Sequence, residues 1–220
     1  MIAELGQYAL ALALALSLVQ VIVPTWGAAK GDATLMGVAG PVAIALFGFT
    51  AFAFGALVQL YVTSDFTVIN VVENSHSKMP LIYKITSTWG NHEGSMLLWV
   101  FVLSLFAALV ALFGTNLPDK LKAHVLAVQG MIAAAFYAFI IFTSNPFLRL
   151  VPPPAEGRDL NPILQDPGLA IHPPLLYLGY VGLSVSFAFA VAALIEGRID
   201  AAWARWTRPW TLAAWVFLTL

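Results

Sequence analysis

Five stretches of this chain, residues 5–26, 37–63, 95–114, 123–143 and 173–195, contain no Asp, Glu, Lys or Arg, and each holds 20 or more residues. About 20 helical residues, rising 1.5 Å each, cross the roughly 30 Å hydrocarbon core of a bilayer. The first block includes ALALALALS, an alternation that in water would suggest a strand. In lipid an open strand leaves its N–H and C=O groups unpaired, so a helix is expected there too. The fold class that follows is all-α: a polytopic membrane helix bundle with five full transmembrane helices. A sixth block opens at Arg208-Pro209-Trp210 and runs to Leu220. Its length gives about 20 Å of helix, short of a full crossing. Residues 1–220 therefore read as the N-terminal transmembrane part of a larger protein, with a truncated sixth helix at 208–220.

Composition agrees. Apolar residues make up 60% of the chain and charged residues 10%, against about a quarter charged in soluble domains. There is no cysteine, which excludes a disulfide framework, a thiolate metal site and a cysteine nucleophile in this segment. The first block has Glu4 ahead of it and no Lys or Arg before Lys30. A cleavable signal wants a basic start, so a retained first span is expected.

Positive charge sets the orientation. With the N-terminus outside, the connections 27–36, 115–122 and 196–207 and their edges hold Lys30, Lys120, Lys122, Arg198, Arg205 and Arg208. The outer loops 64–94 and 144–172 hold Lys78, Lys84, Arg149 and Arg158. The inner connections are roughly threefold denser in Lys and Arg, the bias expected of cytoplasmic loops.

The two outer loops carry the candidates for chemistry. The first includes a possible short strand at Thr67–Val72 and the sequence WGNHEGSMLLW at 89–99. A zinc protease motif would need histidine at position 96, where Met96 stands, so His92-Glu93 does not form one. Gly90 and Gly94 permit a sharp turn, Ser95 can cap a helix starting at Met96, and Trp89 and Trp99 suit the membrane interface. The second loop is proline-rich, yet includes Phe147, Leu150, Ile163 and Leu164. Those side chains want a surface, so a packed cover is expected in place of a tether. The spans show no ionisable residue at membrane depth, with His124 at the edge of its block, which argues against an ion-coupled transporter. In the fifth span Gly179, Gly182, Ser186, Ala190 and Ala193 form a small-residue face for close helix packing.

His172 precedes Pro173 and Pro174. Pro173 suits the first turn of a helix, and the residue before proline is biased to extended geometry, so His172 is expected to project from the helix mouth. An imidazole held there can ligate iron; it can equally be a solvated, hydrogen-bonding residue. Arg149 and Arg158 could pair with carboxylates of a ligand, or only with water.

WGNHEGSMLLW at 89–99, FTSNPF at 142–147, GRDLNPILQDPGL at 157–169, IHPPLLYLGYVG at 171–182 and EGRIDAAWARWTRPWT at 196–211 together resemble the CcmF family. These are haem lyase subunits of bacterial cytochrome c maturation, and the NrfE proteins are similar. The resemblance runs the whole length and implies a multi-pass inner-membrane protein whose functional loops face the periplasm. It implies a haem cofactor received from the chaperone CcmE. It further implies CcmH, CcmI and apocytochrome c as partners, with lipid around the spans and no nucleic acid. His172 matches the first of two external histidines that ligate haem beside a tryptophan-rich region. That region, the second external histidine and two haem b histidines within spans are expected beyond Leu220. Haem lyase activity then belongs to the complex, and no complete catalytic site is expected here. The alternatives are a scaffold or docking segment without cofactor contact, and a transporter.

Overall fold

The computed structural model describes residues 1–197, 199 and 201–220; Arg198 of the charge argument lies outside the described residues. The helices are α1 (Ile2–Lys30), α2 (Ala33–Gly37), α3 (Ala39–Val62), α4 (Ile69–Asn74), α5 (Leu81–Thr86), α6 (His92–Phe113), α7 (Asp119–Phe142), α8 (Pro167–Glu196) and α9 (Ala201–Leu218). Five segments are long and apolar enough to cross a membrane: α1, α2 with α3 (Ala33–Val62), α6, α7 and α8. The chain is an all-helical multi-pass membrane protein, with both long loops on one face, called here the loop face.

Packing follows side-chain size. Gly130 on α7 admits Gln20 of α1, since a Cβ there would lie 2.7 Å from Gln20 Cγ. Thr50 of α3 and Tyr137 of α7 meet at 2.5 Å through their hydroxyls inside the bundle. Phe54 of α3 stacks on Phe101 of α6, and Trp99 of α6 stacks on Phe136 of α7 with centroids 3.8 Å apart. Trp99 therefore joins two helices. The small-residue face of α8 receives α9: Gly179 lies under Leu218, and Gly182 between Ala214 and Phe106. Ser186 and Thr211 share a hydrogen bond of 2.7 Å across the same seam. The last helix thus starts at Ala201, ahead of the expected Arg208, because packing on α8 defines it as much as hydropathy does.

Two further local expectations change. The proposed strand at Thr67–Val72 is largely α4, and only Val68 pairs with Arg149 in an antiparallel bridge. The end of the bundle opposite the loop face does contain a buried ionisable residue: His124 is 5% exposed, and its Nδ1 lies 3.2 Å from Glu196 Oε1. It is buried because α7 begins at Asp119, which draws His124 into the helix and against the end of α8.

The proline-rich segment is a cover. Phe147 and Leu160 are buried, and Phe147 sits against Gly6, where a Cβ would come within 2.5 Å of its ring. The backbone N–H of Arg158 donates to Val72 O and that of Asp159 to Ser75 O. Gly157 is required there, because a Cβ would stand 2.0 Å from Ser75 O. Ile163 is an exception to the cover, at 69% exposure.

Candidate functional site

The sequence WGNHEG folds into a knot of side-chain hydrogen bonds at the start of α6. Asn91 is the N-cap, in extended geometry, and its Oδ1 accepts from Gly94 N at 2.8 Å. The helix begins at His92, so Ser95 is not the cap; its hydroxyl donates back to Trp89 O at 3.1 Å. A side-chain acceptor satisfies one of the orphan N–H groups of the first turn, and Asn91 does so from the position just before the helix starts at His92. Asn91 Nδ2 donates to Ser87 O and to the Tyr61 hydroxyl. Tyr61 donates to Asn70 Oδ1 at 2.6 Å, and Asn70 Nδ2 donates to Asn91 Oδ1 and Glu93 Oε2. Gly94 leaves no room for a side chain: a Cβ would stand 1.6 Å from Thr88 O. Asn70 and Tyr61 escaped the sequence reading because they lie far from the motif in the chain. Asn91, two residues ahead of the acidic Glu93 of the first turn, is the signal for the true cap.

His92 faces away from this network. Its Nε2 is 2.9 Å from Ser144 Oγ at the end of α7, and its ring meets Phe139 edge-on. Trp89 stacks near-parallel on Phe54 with centroids 6.4 Å apart.

The start of α8 corrects the expected geometry of His172. The helix opens at Pro167, with Asp166 as N-cap accepting from Gly168 N and Leu169 N. A capping aspartate followed by proline at the first helical position is a strong start signal. It overrides the extended bias that Pro173 places on His172, which is helical and exposed. Pro173 and Pro174 consequently lie inside α8. Neither can donate a helical hydrogen bond, so the carbonyls of Leu169 and Ala170 lose their i+4 donors. The Trp89 indole N–H donates to Ala170 O at 3.0 Å.

These elements surround a cleft of about 400 Å³ whose walls include Trp89, His92, Leu160, Leu164, Pro173 and Tyr177. The structure thus brings Trp89, Gly90, His92 and Pro173 together, and leaves His172 outside the lining. Ala170 is 3% exposed and faces the bundle; His172, two residues on and about 200° around the helix, faces out. Below it on the same face stand Leu176, Tyr180, Leu183 and Phe187, all exposed.

The two arginines differ in how far they are already paired. Arg149 makes a two-pronged contact with Glu4, with Nε and Nη2 donating at 2.8 and 2.9 Å, and also reaches Asp65 and Thr67. Burial pushes the Asp65 carboxyl up, but bonds from Thr67 and the Arg149 charge outweigh it and hold it below its ordinary value. Arg149 therefore ties the second loop to α1 and the first loop. Arg158 is 75% exposed, with a 3.4 Å contact to Glu73. Among the described residues no three His, Asp or Glu side chains converge as a metal site.

The chain is similar along its whole length to the cytochrome c-type biogenesis protein CycK of Rhizobium meliloti (strain 1021), at 68% identity, covering 32% of that relative. It is 53% identical to the cytochrome c-type biogenesis protein CcmF of Escherichia coli (strain K12), covering 34% of it. A solved structure described as cytochrome c heme lyase CcmF superimposes with a TM-score of 0.87 at 33% identity, over 100% of this chain and 34% of that one. The chain spans about a third of the length of these relatives. The profile of the family described as cytochrome C assembly protein matches residues 89–220, more than half of the chain, and by that match the chain belongs to the cytochrome c assembly protein family.

Proposed function

We propose that this chain serves cytochrome c maturation as part of a haem-handling protein of the bacterial inner membrane, with its loop face toward the periplasm and His172 as an axial ligand to haem iron. The observation that carries the reading is the placement of His172. It is an exposed imidazole on the first turns of α8, at the head of an exposed apolar face formed by Leu176, Tyr180, Leu183 and Phe187. That arrangement fits haem: a neutral ring nitrogen suits iron, and the apolar face suits the edge of a macrocycle lying along the membrane rim. The relatives' names supply the biological setting.

When bound, haem supplies the vinyl groups across which cytochrome thiols add; the chemistry is the cofactor's. The residues here orient and shelter. Arg158, exposed and held only by a weak surface pair, is a cation free to meet a haem carboxylate. Arg149 is already engaged and acts on loop architecture. Delivery by CcmE, work alongside CcmH and CcmI, and attachment to apocytochrome c belong to the same proposal. In this reading, lyase activity resides in the complex.

The test is His172→Ala in the full-length protein, measuring haem trapped from the chaperone, its absorption spectrum and holocytochrome c yield. Even partners that merely orient a metal ligand cost about 10–100-fold when lost, so at least about a tenfold fall in retained haem is expected. An unchanged spectrum and yield would remove His172 from the iron.

A further inference from the structure

We propose that Trp89 is a positioning residue for His172: its indole N–H clamps the Ala170 carbonyl that Pro174 deprives of a helical donor. The proposal rests on the reading of His172 as a haem ligand, and concerns what aims it.

Pro173 and Pro174 interrupt α8 after its first six residues, Pro167 to His172. Two missing N–H groups weaken the hold of that segment on the rest of the continuous helix, and proline inside a helix favours a bend at that point. A loosened terminal turn with an exposed histidine would present its imidazole over a wider range of directions. The 3.0 Å bond from Trp89 Nε1 to Ala170 O removes that freedom. Trp89 is well suited to the task, because it is itself fixed three ways. Its ring lies near-parallel over Phe54, its carbonyl accepts from Ser95, and Asn91, two residues on, is tied to Tyr61 and Ser87. Ala170 is 3% exposed with the indole in place, and a buried carbonyl without a donor is unfavourable. The double proline and the tryptophan thus form one device. The prolines create a free acceptor just before His172, and the knot at the start of α6 supplies the donor. Since Ala170 and His172 lie on opposite sides of the helix, holding the first inward fixes the second outward.

The experiment uses the full-length protein in detergent or nanodiscs, with Trp89→Phe, Pro174→Ala, the double variant and His172→Ala. Phenylalanine keeps an aromatic ring beside Phe54 while removing the donor and some volume, and the Pro174→Ala background separates the two losses. The Pro174→Ala change restores the helical N–H to Ala170 O. Amide hydrogen exchange without haem is read first: Trp89→Phe is expected to raise exchange across residues 168–172 while α6 stays protected. In the Pro174→Ala background the same change should have little effect. With haem, Trp89→Phe should weaken retention by about fivefold and shift the haem reduction potential, the scale of one hydrogen bond. In the Pro174→Ala background the loss should fall below about twofold, a coupling that independent packing roles would not produce. Equal effects of Trp89→Phe in both backgrounds, or unchanged exchange at 168–172, would overturn the clamp. Failure of both tryptophan variants to fold would also overturn it, by making Trp89 a packing residue. A silent His172→Ala with altered exchange in Trp89→Phe would instead sink the ligand reading and leave the clamp standing.

Discussion

The starts of α6 and α8 lie on the same face, carry the two most distinctive sequences of the chain, and are built in opposite ways. At α6 the cap is an amide inside a network of Asn70, Tyr61 and Glu93, with Gly94 pressed against the preceding turn. At α8 the cap is an exposed carboxylate, two prolines interrupt the helix, and the histidine faces out. The first is rigid by construction, and the second borrows its rigidity from the first through Trp89. Under the proposed role His172 has to stay accessible, which rules out burying it in a network of its own. Anchoring its backbone to a neighbouring buried network meets both needs.

The largest effect should come from Gly94→Ala. Its methyl would stand 1.6 Å from Thr88 O, and backbone cannot yield as a side chain can. A loss of about 3 kcal/mol or more is expected, seen as failure to recover folded protein from the membrane by fluorescence-detected gel filtration. Next come the two caps compared. Asn91→Ala removes the cap and strands the Tyr61 and Asn70 groups that it meets, and should cost about 2–4 kcal/mol. Asp166→Ala removes an exposed cap alone and should cost about 1 kcal/mol. Thermal unfolding of the two variants in the same detergent checks the order; equal losses would erase the contrast.

The smallest effect is a pH dependence confined to the cover. Glu156 accepts from Ser77 N and Oγ, and those bonds, the hydroxyl first, hold its carboxyl down to about 2 from the ordinary 4.5. Because the folded value lies below the unfolded one, the contact contributes fully above about pH 4.5 and is lost as pH falls toward 2. Amide exchange at Ser77 should therefore rise between about pH 5 and 2, beyond the intrinsic change in exchange rate, and should lose that dependence in Glu156→Gln. The Gly94 amide, held by the neutral Asn91 side chain, should show no such loosening.

Much of this architecture was legible in the sequence because its cause is local. Runs without charge set the membrane helices, and the glycines of α8 announced a close neighbour, which proved to be α9. The packed cover was legible through Phe147, which reaches Gly6, although Ile163 stayed exposed. Where a second local signal lies upstream, the expectation and the structure differ: α6 is capped by Asn91 and not Ser95, and α8 starts at Pro167 and not Pro173. In each case the upstream residue prevailed because its side chain or ring satisfied the first turn at less cost.

The amino-acid sequence by itself determined that this is a membrane helix bundle with two substantial loops on one face, and it brought the histidine and the two prolines to notice. Only the tertiary structure decided what the freed carbonyl meets. A carbonyl freed by proline is visible in one dimension as a missing donor. That the replacement comes from Trp89, 81 residues earlier, depends on how α3, α6 and α8 pack. The same holds for Arg149, whose partners Glu4 and Asp65 lie on other elements. Hydropathy and capping act over a few residues, whereas hydrogen bonds between elements depend on where each helix is held, and that is set by the whole bundle.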